Sequence, residues 1–356
     1  MMPVYRLSLG LLAFNIRNGR FAAELRAKER ELKRKLDPLD AQDAIIVTNL
    51  LLQQDDSATE VLKEDLRKVG QTEPGIVTHD GYVINGNRRM AILQELHKEE
   101  PTGRFASIDV QILPPEIDHK DLWRIEAGLQ LSRDKRLVYG PVNDLLKIRE
   151  GLDAGLAPDE IAASLYGGGG AEEIKEKDEL LKLIDSFLNY IEKPDDYVRV
   201  QRTVEHFINL LTFMRWLNKK AGASKKDQHR WLLIAFEMLR SNEFGHMDIR
   251  RLRDIYNTEE SRKHLESTVL PDPKKEMTDA RKQELVEGFD TAREYVDIEK
   301  DIKKPERLLS RAERAIEALV KHKKDVVRNK KLHKRIATLR NLLAELEKAC
   351  SQRQGR

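Results

Sequence analysis

The sequence predicts a small α+β domain at the N-terminus followed by mostly α-helical domains, so that the chain as a whole is predominantly α. Two patterns lead to this class. Short apolar runs with β-type alternation lie within residues 1–115, whereas nearly every later segment has the apolar spacing of an amphipathic helix. A third observation agrees with them: 6% aromatic residues and a mean hydropathy of −0.59 are unlike a β-sandwich or barrel.

Length and composition limit the domain count and the kinds of site. A chain of 356 residues is too long for one small core, so two or three domains are expected. Its single cysteine, Cys350, excludes a disulfide framework and a cysteine-based metal site, and favours a reducing, cytoplasmic compartment. The apolar run LSLGLLAF is too short to span a membrane and lacks a cleavage site, so neither a membrane anchor nor a targeting signal is expected.

The strand and helix patterns divide the chain into five parts. The clearest boundary lies in a charged stretch that contains Pro271 and Pro273. The predicted parts are an α+β domain at 1–115, a helical domain at 116–195, a helical extension at 196–257, a charged linker at 258–304 and basic C-terminal helices at 305–356. Within the first part, Ser57 followed by Glu60 has the pattern of a capping box that begins a helix.

The charge of the chain is unevenly distributed. Residues 302–356 contain 17 Lys and Arg against 6 Asp and Glu, a balance of +11, so the remainder carries −8 of the net +3. A basic end on an acidic body is typical of a protein that meets an anionic polymer; a solvated, lysine-rich helix pair is the alternative. The candidate DNA contacts are the basic side chains of the densest run: Lys323, Lys324, Arg328, Lys330, Lys331, Lys334 and Arg335. Because this run has no aromatic residue to stack on bases, we expect non-specific DNA contact.

The most informative stretch is VTHDGYVINGNRRMAILQEL, residues 77–96, in which a D-G hairpin leads into Gly86, Asn87, Arg88, Arg89 and a helix. The N-terminus of a helix offers free N–H groups and the positive end of the helix dipole, and so binds anions. Positively charged side chains are disfavoured at a helix N-terminus, so two consecutive arginines there indicate a specific role. Bidentate hydrogen bonding to a phosphate group is such a role. The alternative is an ordinary helix start with solvated arginines.

The longer run LKEDLRKVGQTEPGIVTHDGYVINGNRRMAILQEL resembles the ParB/sulfiredoxin superfamily. Members share a helix, a Q-x-x-P-like turn, a D-G hairpin, and a strand that ends in G-E-R-R before a helix. Here Gln71 and Pro74 occupy the turn, and residues 86–89 occupy the G-E-R-R position. The strand SIDVQIL also matches the strand that follows in the family.

A second motif of ParB-like proteins, E-N-x-Q-R-x-x-L-x-P, has a looser counterpart whose matching positions are Glu126, Gln130, Arg133 and Pro141. The resemblance covers roughly residues 5–190. It implies a nucleoside triphosphate ligand, CTP before the others, and a place for Mg²⁺, because the family's arginines hold nucleotide phosphates and its glutamate helps with the metal. It assigns phosphate binding to Gly86, Asn87, Arg88, Arg89 and Gln71, and the metal to Glu126.

At some positions this sequence differs from the two family motifs, and these differences affect which enzymatic activities are expected. Asn87 stands where the family has glutamate, and Ala127-Gly128 where it has asparagine, which puts hydrolysis in doubt more than binding. Catalytic residues stay unassigned, and an enzyme, if this is one, would be a CTPase-like nucleoside triphosphatase or a ParB-like nuclease. A nuclease needs a carboxylate cluster, for which Asp80, Asp109 and Glu126 are the candidates. Sulfiredoxin activity is excluded because its cysteine nucleophile is replaced by asparagine.

Residues 158–165 and the helix beginning at Glu172 have the outline of a helix-turn-helix, with Ala162 at the packed position. Residues 172–179 carry a local charge of −3, which would be repelled from a groove lined with phosphates, and the four-glycine turn is long. We therefore favour an inherited helical scaffold over a reader of bases.

Near the C-terminus, apolar residues follow a 3-4-3-4 spacing that fits either a dimerising coiled coil or an intramolecular hairpin: Ile336, Leu339, Leu343, Leu346 and Cys350. These features together predict a cytoplasmic, homodimeric, nucleotide-binding and DNA-associated protein of a bacterium, phage or mobile element. It would act in genome or plasmid maintenance or in DNA defence. The alternatives are a ParB-like metal-dependent DNA nuclease and a scaffold with a vestigial phosphate site.

Overall fold

The computed structural model describes residues 2–17, 19–101, 103–130, 141–165, 170–302, 304–323 and 330–353. The chain divides into two compact units. The first comprises Met1–Arg253 with Val269–Gln283, and the second comprises Asp254–Thr268 with Glu284–Arg356.

A mixed sheet lies at the start of the first unit. Its strands in the described residues are β1 (Val4–Ser8), β2 (Ala13–Phe14), β3 (Gly75–Val77), β4 (Tyr82–Asn85) and β5 (Ser107–Ile112). They lie in the order β1-β5-β3-β4-β2, with antiparallel pairs β1–β5 and β3–β4 and parallel pairs β3–β5 and β2–β4. The predicted hairpin is confirmed: β3 and β4 flank Gly81, whose φ of +93° is a conformation that glycine adopts at no steric cost.

Four helices accompany this sheet. They are α1 (Ala22–Leu32), α2 (Ala41–Leu52), α3 (Asp56–Lys68) and α4 (Asn87–Glu99). The expected capping box at Ser57 is wrong, because α3 begins earlier: the Asp55 carboxylate accepts the N–H of Ala58 at 2.9 Å, and aspartate is as good an N-cap as serine. Buried apolar side chains of helices and strands form one core, among them Phe14, Phe21, Val47, Leu51, Met90, Leu96, Ile108 and Val110.

The rest of the first unit is helical. Its helices are α5 (His119–Gln130), α6 (Pro141–Asp153), α7 (Pro158–Ser164), α8 (Ala171–Tyr190), α9 (Val204–Lys219), α10 (Lys225–Ser241) and α11 (His246–Asn257), the last of which ends in the second unit. Aromatic rings join α8, α9 and α10: Phe187 lies edge-on to Phe207 and to Phe236, with centroids 5.3 and 5.4 Å apart. The buried carboxylate of Glu237 accepts from Arg281 at 2.7 Å, which ties residues 269–283 to α10.

The second unit contains α12 (Glu259–Thr268), most of α13 (Asp279–Asp301), α14 (Pro305–Lys321) and α15 (Lys330–Arg353). The prediction of a linker at 258–304 is wrong, because α12 and α13 fill much of it. On α13 the apolar residues recur at spacings of four and three and are buried: Leu285, Phe289, Ala292 and Val296. Ser261 of α12 donates its hydroxyl to the carbonyl of Ala292 at 2.7 Å, so the two helices pack as a pair.

The predicted fold class is confirmed: an α+β start is followed by helices, and the chain is predominantly α. None of the helices in the described residues is long and apolar enough to cross a membrane.

Candidate functional site

The junction between β4 and α4 is built on Gly86 and Asn87. Gly86 caps the helix with φ +111°, in the left-handed region that favours glycine. Asn87, which is 3% exposed, accepts the N–H of Asn15 on Oδ1 at 3.1 Å and donates from Nδ2 to the carbonyl of Val83 at 2.7 Å. Asn87 therefore links the segment after β2 to the start of α4.

Arg88 and Arg89 are the second and third residues of α4. The guanidinium of Arg88 donates to the side-chain oxygen of Gln54 at 3.4 Å, and that of Arg89 donates to the carbonyl of Glu73. Burial lowers the pKa of Arg89, against the influence of Glu73. The first turn of α4, all of which is described, contains no acidic residue, so both arginines add to the positive end of the helix.

Gln71 lies in the loop before β3 and is held by backbone groups. Its side-chain nitrogen donates to the carbonyls of Glu73, at 2.8 Å, and Asp109, at 2.6 Å, while its oxygen accepts the N–H of Asp109 at 2.8 Å. The Glu73 carbonyl also accepts from Arg89. Gln71 thus fixes the loop that Arg89 contacts, which is a positioning role for a residue that the resemblance placed in the phosphate site.

Glu126 lies on α5 in a buried ion pair. Its carboxylate is 2.8 Å from the ammonium of Lys147 and accepts the N–H of Gly19 at 3.3 Å. The Lys147 side chain, 1% exposed, also contacts Glu150 at 2.9 Å, and burial raises the pKa of Glu150. Among the described residues, no three His, Cys, Asp or Glu side chains are grouped so that they could hold a metal ion. Glu126 has the surroundings of a structural carboxylate.

The segment after β2 joins the two predicted motifs. Asn15 is bonded to Asn87, at the start of α4, and Gly19 is bonded to Glu126 on α5. Between them the backbone turns at Arg17, whose N–H donates to the Asn15 side chain at 3.0 Å and whose own side chain is exposed. No functional residue is predicted in this segment from the sequence, although the arginine between two asparagines in NIRNGR is a pattern that could indicate one.

A cavity of about 740 Å³ opens beside this segment, within the range of small-molecule sites. It is lined by Asn15, Arg17, Gly19, Ile84 of β4 and the Glu126–Lys147–Glu150 cluster, among others. A neighbouring cavity of about 370 Å³ shares six lining residues with it: Asn15, Ile16, Arg17, Ile84, His119 and Leu122. Because Ile84 lies two residues before Gly86, the larger cavity reaches the strand that leads into α4.

The helix-turn-helix outline corresponds to α7 and α8. Ala162 is buried, as expected of the packed position. On α8, Glu176 and Glu179 both form ion pairs with Arg215 of α9, the latter at 2.7 Å. A helix with acidic side chains that form ion pairs with a neighbouring helix is poorly suited to enter a DNA groove. This agrees with the expectation that α7 and α8 are a helical scaffold and do not read bases. The four glycines at 167–170 lie largely outside the described residues.

Several predicted residues are only partly described. Lys334 and Arg335 are exposed on α15, and Lys323 is exposed after α14, whereas Lys330 and Lys331 are described by backbone alone. Lys324 and Arg328 lie outside the described residues, as does Arg133 of the second motif. The apolar side chains of the 3-4-3-4 pattern are 44–56% exposed from Ile336 to Leu346, so the dimer remains a prediction.

Comparisons with known proteins find a structural likeness but no match in sequence. No protein-family model matches the sequence, and no curated protein matches it. A search of solved structures finds the "C2221 form of Pnob8-like ParB-N domain", 11% identical, with 83% of this chain and 98% of that chain covered and a TM-score of 0.32. At that TM-score the likeness carries no argument about fold or function.

Proposed function

We propose that this protein is a ParB-like, nucleotide-binding and DNA-associated protein that acts in genome or plasmid maintenance or in DNA defence. The nucleotide phosphates bind at the start of α4. One observation carries the proposal: a left-handed glycine, Gly86, is followed by Arg88 and Arg89 in a first turn without acidic residues. Backbone N–H groups, the helix dipole and a guanidinium group then act together on one anion.

The cavity beside the segment after β2 is the place for the ribose and base. Its volume of about 740 Å³ suits a ligand of nucleotide size, and its lining includes both polar and apolar groups. Asn15 and Gly19 in this segment are hydrogen-bonded to α4 and α5 respectively. A nucleotide that contacts the segment would therefore change how the sheet meets the helical region, which is how binding would act as a switch.

DNA association is proposed for the basic C-terminal helices. Lys334 and Arg335 are exposed at the start of α15, where they can neutralise phosphates without reading bases. The helix-turn-helix outline contributes no recognition helix in this proposal, because α8 uses Glu176 and Glu179 to hold α9.

The nuclease alternative has no observation in its favour. Asp109 forms an ion pair with Arg6 at 2.8 Å, and Glu126 forms one with Lys147 at 2.8 Å. Together with Asp80 these carboxylates form no metal-binding group in the described part of the chain. Mg²⁺, if it takes part, would arrive with the nucleotide phosphates.

Thermal unfolding with CTP, ATP, GTP, UTP or no nucleotide, with and without Mg²⁺, tests the proposal. A ligand at a hundred times its dissociation constant stabilises by about 2.7 kcal/mol, which raises the midpoint by several degrees. One nucleotide should raise it for the wild type and for Lys98→Ala, at the other end of α4, but not for the Arg88→Ala/Arg89→Ala variant. No rise with any nucleotide, or an equal rise in that variant, would contradict the proposal.

A further inference from the structure

A second cavity, of about 540 Å³, lies in the helical region of the first unit. It is bounded by the ends of α8 and α10, the start of α9 and the connecting segment 191–203. It shares no lining residue with the cavity beside the segment after β2. Neither of the two sequence motifs contributes a residue to its lining.

The walls of this helical-region cavity are partly aromatic. Phe187, Phe207 and Phe244 line it, and each is less than 10% exposed. The rings of Phe187 and Phe207 lie edge to face, with an interplanar angle of 64°. Surfaces of this kind bind another flat ring by stacking or edge contacts, in addition to excluding water. The walls therefore favour a planar, aromatic group.

His206 is a polar residue of the lining. Its Nε2 is 3.0 Å from the carbonyl of Phe244, and because a carbonyl can only accept, Nε2 carries the hydrogen. In the neutral ring Nδ1 is then an acceptor; it is buried, and no group of the described residues donates to it. An acceptor in that state favours a ligand ring that carries an N–H donor, as the nucleobases do.

The rim of the cavity is positively charged. Lys193, Arg199 and Arg240 line it, and no described lining residue is acidic. Asp196 forms ion pairs with both Arg199 and Arg30, so these three residues together carry a net charge of +1. In the same way Glu237 forms ion pairs with both Arg240 and Arg281, which leaves a second net positive charge. Lys193 is exposed. A cationic rim over an aromatic floor selects an anionic group attached to a ring.

We propose that this cavity binds a planar heteroaromatic compound with one phosphate group, of the size of a nucleoside monophosphate, with the ring between Phe187, Phe207 and Phe244 and the phosphate at Lys193. The site is separate from α4 and does not depend on the function proposed there.

Calorimetric titration of the full chain with AMP, CMP, GMP and UMP tests this proposal. Ribose 5-phosphate, which lacks the ring, and the uncharged nucleosides serve as comparators. The informative variants are Lys193→Glu at the rim and His206→Gln, which keeps a donor for the Phe244 carbonyl. The matched controls are Lys220→Glu, a reversal at an exposed lysine just after α9, and the Arg88→Ala/Arg89→Ala variant.

We expect at least one monophosphate to bind, and to bind more tightly than ribose 5-phosphate and than its nucleoside. Lys193→Glu should weaken it roughly tenfold, or about 1.4 kcal/mol, since the attraction between Lys193 and the phosphate becomes a repulsion. His206→Gln should also weaken it, whereas both controls should leave it unchanged. The proposal is overturned if no monophosphate binds, if ribose 5-phosphate binds equally well, or if Lys193→Glu behaves like Lys220→Glu. It is also overturned if the α4 variant abolishes binding.

Discussion

Replacing Lys147 by methionine should destabilise the first unit strongly, because it removes the cation from a buried ion pair. The ammonium lies 2.8 Å from Glu126, which is 4% exposed, and 2.9 Å from Glu150. Methionine keeps the length and apolar stem but leaves the Glu126 carboxylate without its countercharge. Breaking a buried pair in this way costs about 3–5 kcal/mol. For a unit of this size that lowers the unfolding midpoint by about 10 °C.

Urea and thermal unfolding, followed by tryptophan fluorescence, measure the effect, and Trp123 lies against Lys147 with its ring centroid 5.8 Å from the ammonium. The control is Lys182→Met, which removes a partner of Asp178 at a lysine whose side chain is 65% exposed and should cost less than about 1 kcal/mol. The double variant Glu126→Gln/Lys147→Met should recover much of the loss, since neither charge is then buried. Two results would contradict this expectation. One is a loss of unfolding free energy in Lys147→Met no larger than in Lys182→Met; the other is a double variant that is as unstable as Lys147→Met alone.

Three further outcomes follow from the structure. The Arg34 guanidinium and the N–H of Asp37 hold the pKa of Asp43 at about 2, so its stabilisation is present above the unfolded value near 4 and is lost as the pH falls through about 2. Asp43→Asn should therefore lower the unfolding midpoint at pH 7 but not near pH 2, and an equal difference at both would count against the ion pair. Gly86→Ala should cost about 1–2 kcal/mol in urea unfolding, because alanine is strained at φ +111°, and a neutral result would refute the conformational argument. Reversing both charges at 334–335 should weaken duplex DNA binding and reduce the slope of log affinity against log salt by about 2 in fluorescence polarisation, whereas an unchanged slope would show that α15 makes no phosphate contacts.

The local parts of the fold could be predicted from the sequence. The Asp80-Gly81 pair between two short apolar runs indicates a hairpin, and Gly86 before a helix-forming run indicates the strand–helix junction, because both patterns depend on adjacent residues. The signal for α13 was also present: Leu285 and Phe289 begin a helical apolar pattern, which the high charge and the nearby prolines obscured.

The contacts that define the site could not be predicted, because they join residues far apart in the chain. The hydrogen bond between Asn15 and Asn87 joins residues 72 positions apart in the sequence, and the one between Gly19 and Glu126 joins residues 107 positions apart. Periodicity shows which face of a helix is buried, but not which partner a buried polar side chain finds. Lys147 illustrates the limit: in an amphipathic pattern a lysine is expected in solvent, and its burial depends on the carboxylates that surround it.

Amide hydrogen–deuterium exchange with and without CTP and Mg²⁺ tests the proposed nucleotide site most directly, because it would locate a bound nucleotide along the chain. The account predicts slower exchange at residues 86–90 and in the segment after β2, in the wild type and in Lys98→Ala. The Arg88→Ala/Arg89→Ala variant should show no such slowing. Unchanged exchange at 86–90 under saturating CTP, or slowing confined to other parts of the chain, would contradict a phosphate site at the start of α4.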